Sequence, residues 1–381
     1  MFSDSDVNYM NLALSAAEDG GLYTSTPNPR VGCVLVKGGE VLSVGCHRYA
    51  GQKHAEIDCL DKLEKSHLFN STLYITLEPC HHHGLTPPCI NRIIEGGVSR
   101  VVISSLDPNP LVCGKSIEKL RSSKITTQIG LLSDKAIALN CGFFKRMLYG
   151  KPWIRLKMAF SLDGRTALSS GESQWITNEK SRKDAHHWRA RSCGIITGIG
   201  TVLSDDPLMN IRHVETTRQT TLVILDSNLK IPISAKCISV PKRKIIVAHT
   251  LKNSVKQALL SEKSVSTVLC PEKDGHVDLK FLLEYLGKQE QMNEITVEAG
   301  TTLSSSFYHE ECDELLCYVS SKILGHESRP LIKTTVEKLS DAKSFNLINS
   351  YKIGNDIRLI YHHQNCILQT YSKKWTDLVT Q

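Results

Sequence analysis

A histidine, a glutamate and two cysteines stand in an order that suits metal-assisted hydrolysis. His54-Ala-Glu56 is followed by Pro79-Cys80 and then by Pro88-Cys89. One imidazole and two thiolates supply three ligands to Zn²⁺ and leave the fourth position open for water. Zinc lowers the pKa of such a water toward neutrality. Glu56 remains as the group that carries a proton from water to a departing amine, so the set predicts a zinc deaminase.

The spacing of the cysteines departs from the usual pattern of zinc deaminases. That pattern has two residues between the cysteines, whereas eight residues separate Cys80 from Cys89. Three histidines occupy this loop, and any of them could close the site as a fourth ligand. We expect an open site, because a closed one would leave Glu56 without a role. His82 is then predicted to contact the substrate, and its two neighbours are predicted to be loop residues.

Alternating strand and helix patterns surround this set of residues. A hairpin around Gly38-Gly39 precedes a helix from His54 to Lys65, which places the histidine in its first turn. A strand over Thr72–Leu77 leads into the first cysteine. The second cysteine lies at the start of a helix, whose dipole favours thiolate. With a further helix over Ala136–Tyr149, these elements predict a three-layer α/β sandwich.

A second alternating set of strands and helices begins after Gly150-Lys-Pro152. Because 381 residues exceed one ordinary core, residues 1–148 and 149–381 are predicted to be separate domains, the second with a mostly parallel sheet. Two strand-to-helix turns of the second domain contain glycines, Gly198-Ile-Gly200-Thr201 and Glu298-Ala-Gly300-Thr301. Backbone N–H groups at such turns can hold phosphate. Two of them predict a dinucleotide lying across the ends of the strands.

The sequence leaves the choice of dinucleotide open. Asp226 ends a predicted strand, at a position where an acidic residue selects NAD over NADP. Ser227 and Lys230 follow it and could instead meet a 2′-phosphate. Both cofactors remain compatible with these three residues.

Composition limits the class of protein and of partner. The net charge of +7 suits a phosphorylated small molecule as well as nucleic acid. No basic stretch with interleaved aromatic residues is present, and aromatic residues make up 6% of the chain, which disfavours nucleic acid. The 13 cysteines lack the spacing of a disulfide scaffold, which indicates a reducing compartment. We expect a cytoplasmic protein, because neither an apolar leader nor a membrane span is recognisable.

Sequence motifs in both halves resemble one bacterial family. The first half carries Asn28-Pro29, Val31-Gly32-Cys33, Thr76-Leu-Glu-Pro-Cys80, Thr86-Pro-Pro-Cys89 and Asp107-Pro-Asn-Pro110. The second half carries Ser161-Leu-Asp-Gly-Arg-Thr166, Ser170-Gly-Glu-Ser-Gln-Trp-Ile-Thr177, Gly200-Thr-Val-Leu-Ser-Asp-Asp-Pro207 and Val297-Glu-Ala-Gly300. Together they resemble the RibD family of bifunctional riboflavin-biosynthesis enzymes, which has the same eight-residue spacing between cysteines. Leu85 departs from the family, which usually has Lys or Arg there.

The resemblance implies two reactions. The first domain, of the cytidine-deaminase type, would deaminate 2,5-diamino-6-(5-phosphoribosylamino)pyrimidin-4(3H)-one. The second domain, of the dihydrofolate-reductase type, would use NADPH to reduce the ribosyl group of the product to ribityl. The resemblance also implies a homo-oligomer. The alternative is a zinc deaminase that acts on tRNA or single-stranded DNA and has a non-catalytic second domain.

The resemblance also implies roles for individual residues. In the deaminase, the zinc ligands would be His54, Cys80 and Cys89, the proton carrier Glu56, and the substrate contacts Asn28, His82, Asp107 and Asn109. The NADPH contacts of the reductase would be Ala159, Trp175, Thr201, Asp205, Ser227, Gly300, Thr301, Thr302, Leu303, Ser304, Ser305 and Ser306. Its substrate contacts would be Lys157, Ser173, Arg189, Met209, Arg212 and Glu298.

Five of the reductase assignments have a physical basis or an open alternative. Arg189 and Arg212 suit a phosphorylated substrate, because a guanidinium group pairs bidentately with phosphate. Trp175 could instead be a core residue. Either Asp205 or Glu298 could supply the proton that the opened ribose oxygen needs, and the sequence does not decide between them.

Overall fold

The computed structural model describes residues 2–81, 87–109, 112–364 and 366. The chain divides into two compact units, one ending at Tyr149 and the other running from Gly150 to Cys366. Within the described ranges, no helix combines the length and the apolar character that crossing a bilayer requires.

Seven helices and five strands form the described part of the first unit. The helices are α1 (Asp4–Gly21), α2 (Ala55–Leu60), α3 (Lys65–Leu68), α4 (Cys89–Glu95), α5 (Lys115–Ser122), α6 (Ser133–Leu139) and α7 (Cys141–Tyr149). The strands are β1 (Gly32–Lys37), β2 (Glu40–Cys46), β3 (Thr72–Ile75), β4 (Arg100–Ile103) and β5 (Thr126–Ile129). They form one sheet in the order β2-β1-β3-β4-β5, in which β1 is antiparallel to both of its neighbours and β3, β4 and β5 are parallel.

Both faces of this sheet are covered by helices. Successive side chains of a strand point to opposite faces, and β1 is buried on both. Cys33 and Leu35 pack with α2, α4 and α5 on one face. Val34 and Val36 pack with α1 and α6 on the other. The predicted three-layer sandwich is therefore confirmed.

Two predicted helices of the first unit are wrong in extent. The helix predicted from His54 to Lys65 ends at Leu60, and the carboxylate of Asp61 pairs with Lys53 and Arg92 at the turn that follows. The helix predicted over Ala136–Tyr149 is broken between α6 and α7.

Asn140 explains the break between α6 and α7. Its side-chain oxygen accepts the N–H of Arg30 at 2.7 Å, and its amide nitrogen donates to the carbonyl of Arg30 at 2.8 Å. This long-range pair holds the residue outside regular helix geometry. A pattern of apolar residues cannot reveal such a pair, because its partner lies 110 residues earlier.

The second unit contains a larger sheet. Its helices are α8 (Glu179–Arg191), α9 (Ile199–Asp205), α10 (Ser254–Glu262), α11 (Leu279–Lys288) and α12 (Thr301–Glu310). The strands of the large sheet are β6 (Trp153–Phe160), β8 (Gly194–Gly198), β9 (Thr221–Leu225), β10 (Ile245–His249), β11 (Val265–Leu269), β14 (Glu294–Val297), β15 (Glu314–Val319), β17 (Phe345–Ile353) and β18 (Asp356–His363). Four short strands form two separate ribbons, β7 (Arg165–Ala167) with β16 (Arg329–Pro330), and β12 (Glu272–Lys273) with β13 (His276–Val277).

The large sheet has the order β11-β10-β9-β8-β14-β6-β15-β18-β17. Every pair from β11 to β15 is parallel, and the last two pairs are antiparallel. Apolar side chains from one face pack with α11 and α12, and those from the other face pack with α9 and α10. This confirms the mostly parallel sheet, whereas the final hairpin of β17 and β18 was not predicted from the sequence.

Candidate active sites

Three ligand atoms of the predicted metal set converge in the first unit. His54 is the residue before α2, Cys89 is the first residue of α4, and Cys80 follows β3. The Nδ1 atom of His54 lies 3.2 Å from Sγ of Cys89 and 3.5 Å from Sγ of Cys80. Within the described ranges, no other cluster of three metal-binding side chains brings its ligand atoms within 4.8 Å of one another. One nitrogen and two sulfurs fit Zn²⁺, and three protein ligands fit a catalytic site.

Local structure prepares the cysteines for a metal. The backbone N–H of Cys89 donates to Sγ of Cys80 at 3.3 Å. Hydrogen bonds from Cys89 and His54 hold the pKa of the Cys80 thiol well below its usual range. A thiolate is the form that binds zinc. His81 is not part of the converging group, and His82, His83 and Leu85 lie outside the described residues.

Glu56 lies beside this set and is not one of its ligands. Glu56 is 3% exposed, and Cys80, His54 and Cys89 all act on the pKa of its carboxyl group. Burial and the nearby Cys80 raise the pKa of Glu56 to about 7. Although Glu56 is two residues from His54 on the sequence, the first turn of α2 brings both side chains to one place.

Asn28 is connected to the metal set through a histidine that the sequence analysis missed. Nε2 of His47 lies 3.1 Å from the amide nitrogen of Asn28, and its Nδ1 lies 3.0 Å from the carbonyl oxygen of Lys53. Burial lowers the pKa of His47, which keeps the ring neutral. Nδ1 therefore carries the proton, and Nε2 accepts from Asn28. The ring also stands edge-on to that of His54, with centroids 5.4 Å apart.

Asp107 and Asn109 lie in a loop that a buried carboxylate organises. Glu78 accepts the backbone N–H groups of Asp107, Gly114 and Ser116 at 3.0 to 3.3 Å. The carboxylate of Asp107 accepts the N–H of Asn109 at 2.8 Å. Burial raises the pKa of Asp107 to about 7. Glu78 carries no sequence signal beyond its place within the motif before Cys80.

The second unit contains a cavity of about 1540 Å³ at the carboxyl ends of its parallel strands. In parallel α/β sheets this edge is where ligands bind. All six predicted substrate contacts of the reductase line the cavity: Lys157, Ser173, Arg189, Met209, Arg212 and Glu298. Eleven of the twelve predicted cofactor contacts also line it: Ala159, Trp175, Thr201, Asp205, Ser227, Gly300, Thr301, Thr302, Leu303, Ser304 and Ser306.

Ser305 is the exception. It is buried, its hydroxyl donates to the carbonyl of Thr301 at 2.6 Å, and it accepts the N–H of Lys333 at 2.8 Å. Ser305 therefore does not line the cavity and instead ties α12 to the segment around Lys333. The helix itself begins at Thr301.

Trp175 resolves one alternative left open by the sequence, and Asp226 bears on another. Trp175 is 59% exposed and carries the guanidinium of Arg182 over its ring at 4.4 Å, so it is not a core residue. Asp226 is buried, and its Oδ2 accepts the N–H of Ile231 at 2.7 Å. Asp226 lines the cavity together with Ser227 and Lys230. One of its carboxylate oxygens is held within its own loop, so these three residues leave the choice of dinucleotide to be decided by the family of the chain.

Glu298 is held in its ionised form. Its two carboxylate oxygens accept from Nε and Nη2 of Arg189 at 2.6 and 2.9 Å, and Nζ of Lys157 lies 4.0 Å away. Burial would raise the pKa of Glu298, but the Arg189 guanidinium outweighs burial and lowers this pKa to about 2. An ionised carboxylate has no proton to give, so the geometry opposes Glu298 as the proton donor.

We expect the contribution of Glu298 to stability to depend on pH. Its folded pKa of about 2 lies below the ordinary value of 4.5, so the carboxylate stabilises the fold above pH 4.5. That contribution is lost as the pH falls toward 2. Urea unfolding should therefore show a difference in the free energy of unfolding between wild type and Glu298→Gln, and this difference should shrink as the pH falls from 7 to 3. The control is Glu262→Gln, which changes an exposed residue at the end of α10. A difference in free energy of unfolding that stays constant with pH for Glu298→Gln would contradict the lowered pKa of Glu298.

Both halves of the chain match known families. Residues 3–105 match the cytidine and deoxycytidylate deaminase zinc-binding region, and residues 152–359 match the RibD C-terminal domain. The riboflavin biosynthesis protein RibD of Escherichia coli K12 is 41% identical over 365 residues, which cover 93% of this chain and 98% of that protein. The chain belongs to the RibD family.

Solved structures agree with this membership. The structure of Acinetobacter baumannii RibD (form 1) has a TM-score of 0.87 and 39% identity, and the match covers 95% of this chain and 99% of that one. A diaminohydroxyphosphoribosylaminopyrimidine deaminase/5-amino-6-(5-phosphoribosylamino)uracil reductase from Thermotoga maritima has a TM-score of 0.83 and 30% identity, with 94% and 99% covered.

Family membership confirms several predictions. The chain is a bifunctional deaminase and reductase of riboflavin biosynthesis, with a cytidine-deaminase-like first domain and a RibD reductase domain. Its cofactors are zinc and NADPH. It acts on a small molecule. The comparisons give no support to the alternative of a nucleic-acid deaminase with a non-catalytic second domain.

Proposed function

We propose that the first unit deaminates 2,5-diamino-6-(5-phosphoribosylamino)pyrimidin-4(3H)-one and that the second reduces the ribosyl group of the product to ribityl. The convergence of His54, Cys80 and Cys89 beside the buried Glu56 carries the first half of this proposal. The cavity at the strand ends of the second unit supports the other half. In terms of domains, we assign residues 1–148 to the deaminase and 149–381 to the reductase.

In the deaminase, each side chain has one task. His54, Cys80 and Cys89 would hold zinc, which when bound lowers the pKa of water. Glu56 takes the proton of the attacking water and delivers it to the leaving amine, so that ammonia departs as the C–N bond breaks.

The substrate contacts of the deaminase lie around these residues. Asn28 contacts the pyrimidine, and its contact with His47 fixes the orientation of its amide. Asp107 and Asn109 contact the ribose or its phosphate, and the buried Glu78 holds their loop in place. We assign His82 to the substrate as well, on the basis of the motif alone.

In the reductase, the strand ends hold both ligands. NADPH supplies the hydride when bound, and the chain supplies placement and exclusion of water. Lys157, Ser173, Arg189, Met209, Arg212 and Glu298 contact the phosphoribosyl substrate. Of the two acids considered as proton donors, Glu298 is not proposed for this role, because Arg189 keeps it ionised.

The cofactor contacts of the reductase follow the two glycine-containing turns. Backbone N–H groups at the start of α12 are suited to the phosphates of NADPH. The proposed contacts are Ala159, Trp175, Thr201, Asp205, Ser227, Gly300, Thr301, Thr302, Leu303, Ser304 and Ser306. Ser305 is left out of this set, because it is buried and its hydroxyl donates to the carbonyl of Thr301.

We also propose a cytoplasmic homo-oligomer that does not bind nucleic acid. The edge strand β17 supports self-association, because Leu347, Ile348 and Tyr351 are more than half exposed on it. The absence of a basic stretch with interleaved aromatic residues supports the exclusion of nucleic acid.

A coupled assay tests the two reactions separately. Purified protein receives the diaminopyrimidine ribotide, and ammonia release and NADPH oxidation are followed independently. We expect ammonia without NADPH, and NADPH oxidation only after ammonia has been released. Oxidation of NADPH that precedes or exceeds ammonia release would contradict the proposed order of reactions.

A further inference from the structure

The segment Leu208–His213, which carries Met209 and Arg212, has an irregular backbone. Met209 and His213 have φ values of 49° and 62°, in the left-handed region that residues other than glycine seldom adopt. Such a segment keeps its shape only when its surroundings hold it. Two predicted substrate contacts therefore depend on the residues that fix this backbone.

Side chains from four other positions hold the segment. Arg243 donates to the carbonyls of Leu208 and Met209 at 2.8 and 2.9 Å, and Arg189 donates to the carbonyl of Asn210 at 2.9 Å. The side-chain oxygen of Gln219 accepts the N–H of Ile211 at 2.9 Å. Nδ1 of His186 accepts the N–H of Arg212 at 3.0 Å. The last of these bonds acts directly on the backbone of the residue assigned to the substrate phosphate.

His186 combines this bond with a place in the cavity wall. It lies on α8, one turn before Arg189, is 5% exposed and lines the reductase cavity. Because Nδ1 accepts a hydrogen bond, it carries no proton, and the neutral ring bears its proton on Nε2. Protonation of Nδ1 would replace this acceptor by a donor facing the Arg212 N–H.

The surrounding charges keep that acceptor available. Burial, Arg189 and Arg212 lower the pKa of His186 to about 3, and they outweigh Glu298, which acts in the opposite direction. The ring of His213 packs against His186, with centroids 5.2 Å apart. The hydrogen bond to Arg212 is therefore present throughout the pH range in which the enzyme would be assayed.

We infer that His186 is a positioning residue of the reductase: it fixes the backbone at Arg212 so that the guanidinium meets the phosphate of the substrate. This inference rests on the proposed function of Arg212. No sequence motif marks His186, because its role depends on a contact with a residue 26 positions later.

A leucine substitution tests the hydrogen bond. His186→Leu keeps an apolar side chain at the position but accepts no hydrogen bond, which leaves the Arg212 N–H without its partner. We expect KM for the deaminated substrate to rise about tenfold, with kcat and the Kd of NADPH within twofold of wild type. His186→Gln, whose amide oxygen can accept, should restore most of the loss. His186→Ala removes the same acceptor and should show the same rise in KM. It takes the place of the leucine variant in this test if that variant does not fold.

Two further variants separate the inference from the proposed function. His187→Leu changes an exposed neighbour on the same helix that does not line the cavity, and it should leave KM unchanged. The double variant of His186→Leu with Arg212→Ala should be no worse than Arg212→Ala alone, because the histidine acts through the arginine. If the effects of the two substitutions on the logarithm of KM simply add, the positioning role of His186 is overturned.

The remaining outcomes are also decisive. If Arg212→Ala raises KM but His186→Leu and His186→Ala do not, the inference fails and the proposed function stands. If Arg212→Ala itself leaves KM unchanged, the assignment of Arg212 to the substrate fails. A fall in NADPH affinity in parallel with the rise in KM would indicate a general structural role and would also overturn the inference.

Discussion

Glu56→Gln should reduce ammonia release by about 10²-fold or more while the protein keeps one zinc per chain. Proton transfer by a placed side chain contributes about 10² to 10⁴ in rate, and glutamine has the size of glutamate but cannot take up and release a proton. Zinc should remain because Glu56 is not one of the three converging ligands. The measurement is ammonia release from the diaminopyrimidine ribotide, together with metal content.

The controls for Glu56→Gln address both units. NADPH oxidation with deaminated substrate should be unchanged, because the reductase cavity is lined entirely by residues of the second unit. Glu64→Gln, an exposed acid immediately before α3, should retain both activities. Loss of zinc in Glu56→Gln, or deamination within tenfold of wild type, would refute the role of Glu56 as proton carrier.

Arg155→Met should destabilise the second unit by about 3–5 kcal/mol, the usual cost of removing one member of a buried ion pair. Arg155 is 1% exposed on β6; its Nε donates to Glu314 at 2.5 Å and its Nη2 to Glu294 at 3.1 Å. Its guanidinium also lies 4.5 Å from the ring centroid of Trp188. The substitution leaves two buried carboxylates with fewer compensating charges.

Urea unfolding followed by tryptophan fluorescence measures this loss. Three of the four tryptophans, Trp153, Trp175 and Trp188, lie in the second unit, so the signal reports mainly on it. Lys288→Met removes an exposed ion pair within α11 and should cause little change. Ammonia release by Arg155→Met should persist at urea concentrations that leave the first unit folded. A decrease of less than about 1 kcal/mol in the free energy of unfolding would contradict the structural role of the buried ion pairs of Arg155.

The sequence was sufficient to predict a site where a single reaction requires several particular residue types. His54, Glu56, Cys80 and Cys89 could be selected because zinc requires nitrogen and sulfur ligands and the reaction requires a proton carrier. The alternation of helices and strands likewise predicted both layered units. In each case the signal lies in the residue types and their spacing in the sequence, and not in a contact that only the folded chain creates.

What the sequence could not predict depends on contacts between distant residues. His47, Glu78 and His186 act on other site residues, and each contact is fixed only once the chain has folded. The break at Asn140 has the same origin, since its partner Arg30 is 110 residues away. Burial patterns could not identify them, because buried polar residues carry no periodic signal.

The hairpin of β17 and β18 was missed for a different reason. Most of Phe345–Ile353 is exposed, so its sequence lacks the alternation of apolar and polar residues that marks a half-buried strand. The turn Gly354-Asn355 was a usable signal, because a Gly-Asn pair between two strands is typical of a two-residue hairpin. The pairing of Ile353 with Asp356 is consistent with that turn.

Titration of zinc into chelator-treated protein tests the central claim most directly, with ammonia release and NADPH oxidation read in parallel. If His54, Cys80 and Cys89 hold the catalytic metal, ammonia release should be lost with the metal and return in proportion to zinc, reaching its plateau at one zinc per chain. Oxidation of NADPH with deaminated substrate should stay constant throughout. Full ammonia release from protein shown to contain no metal would contradict the account.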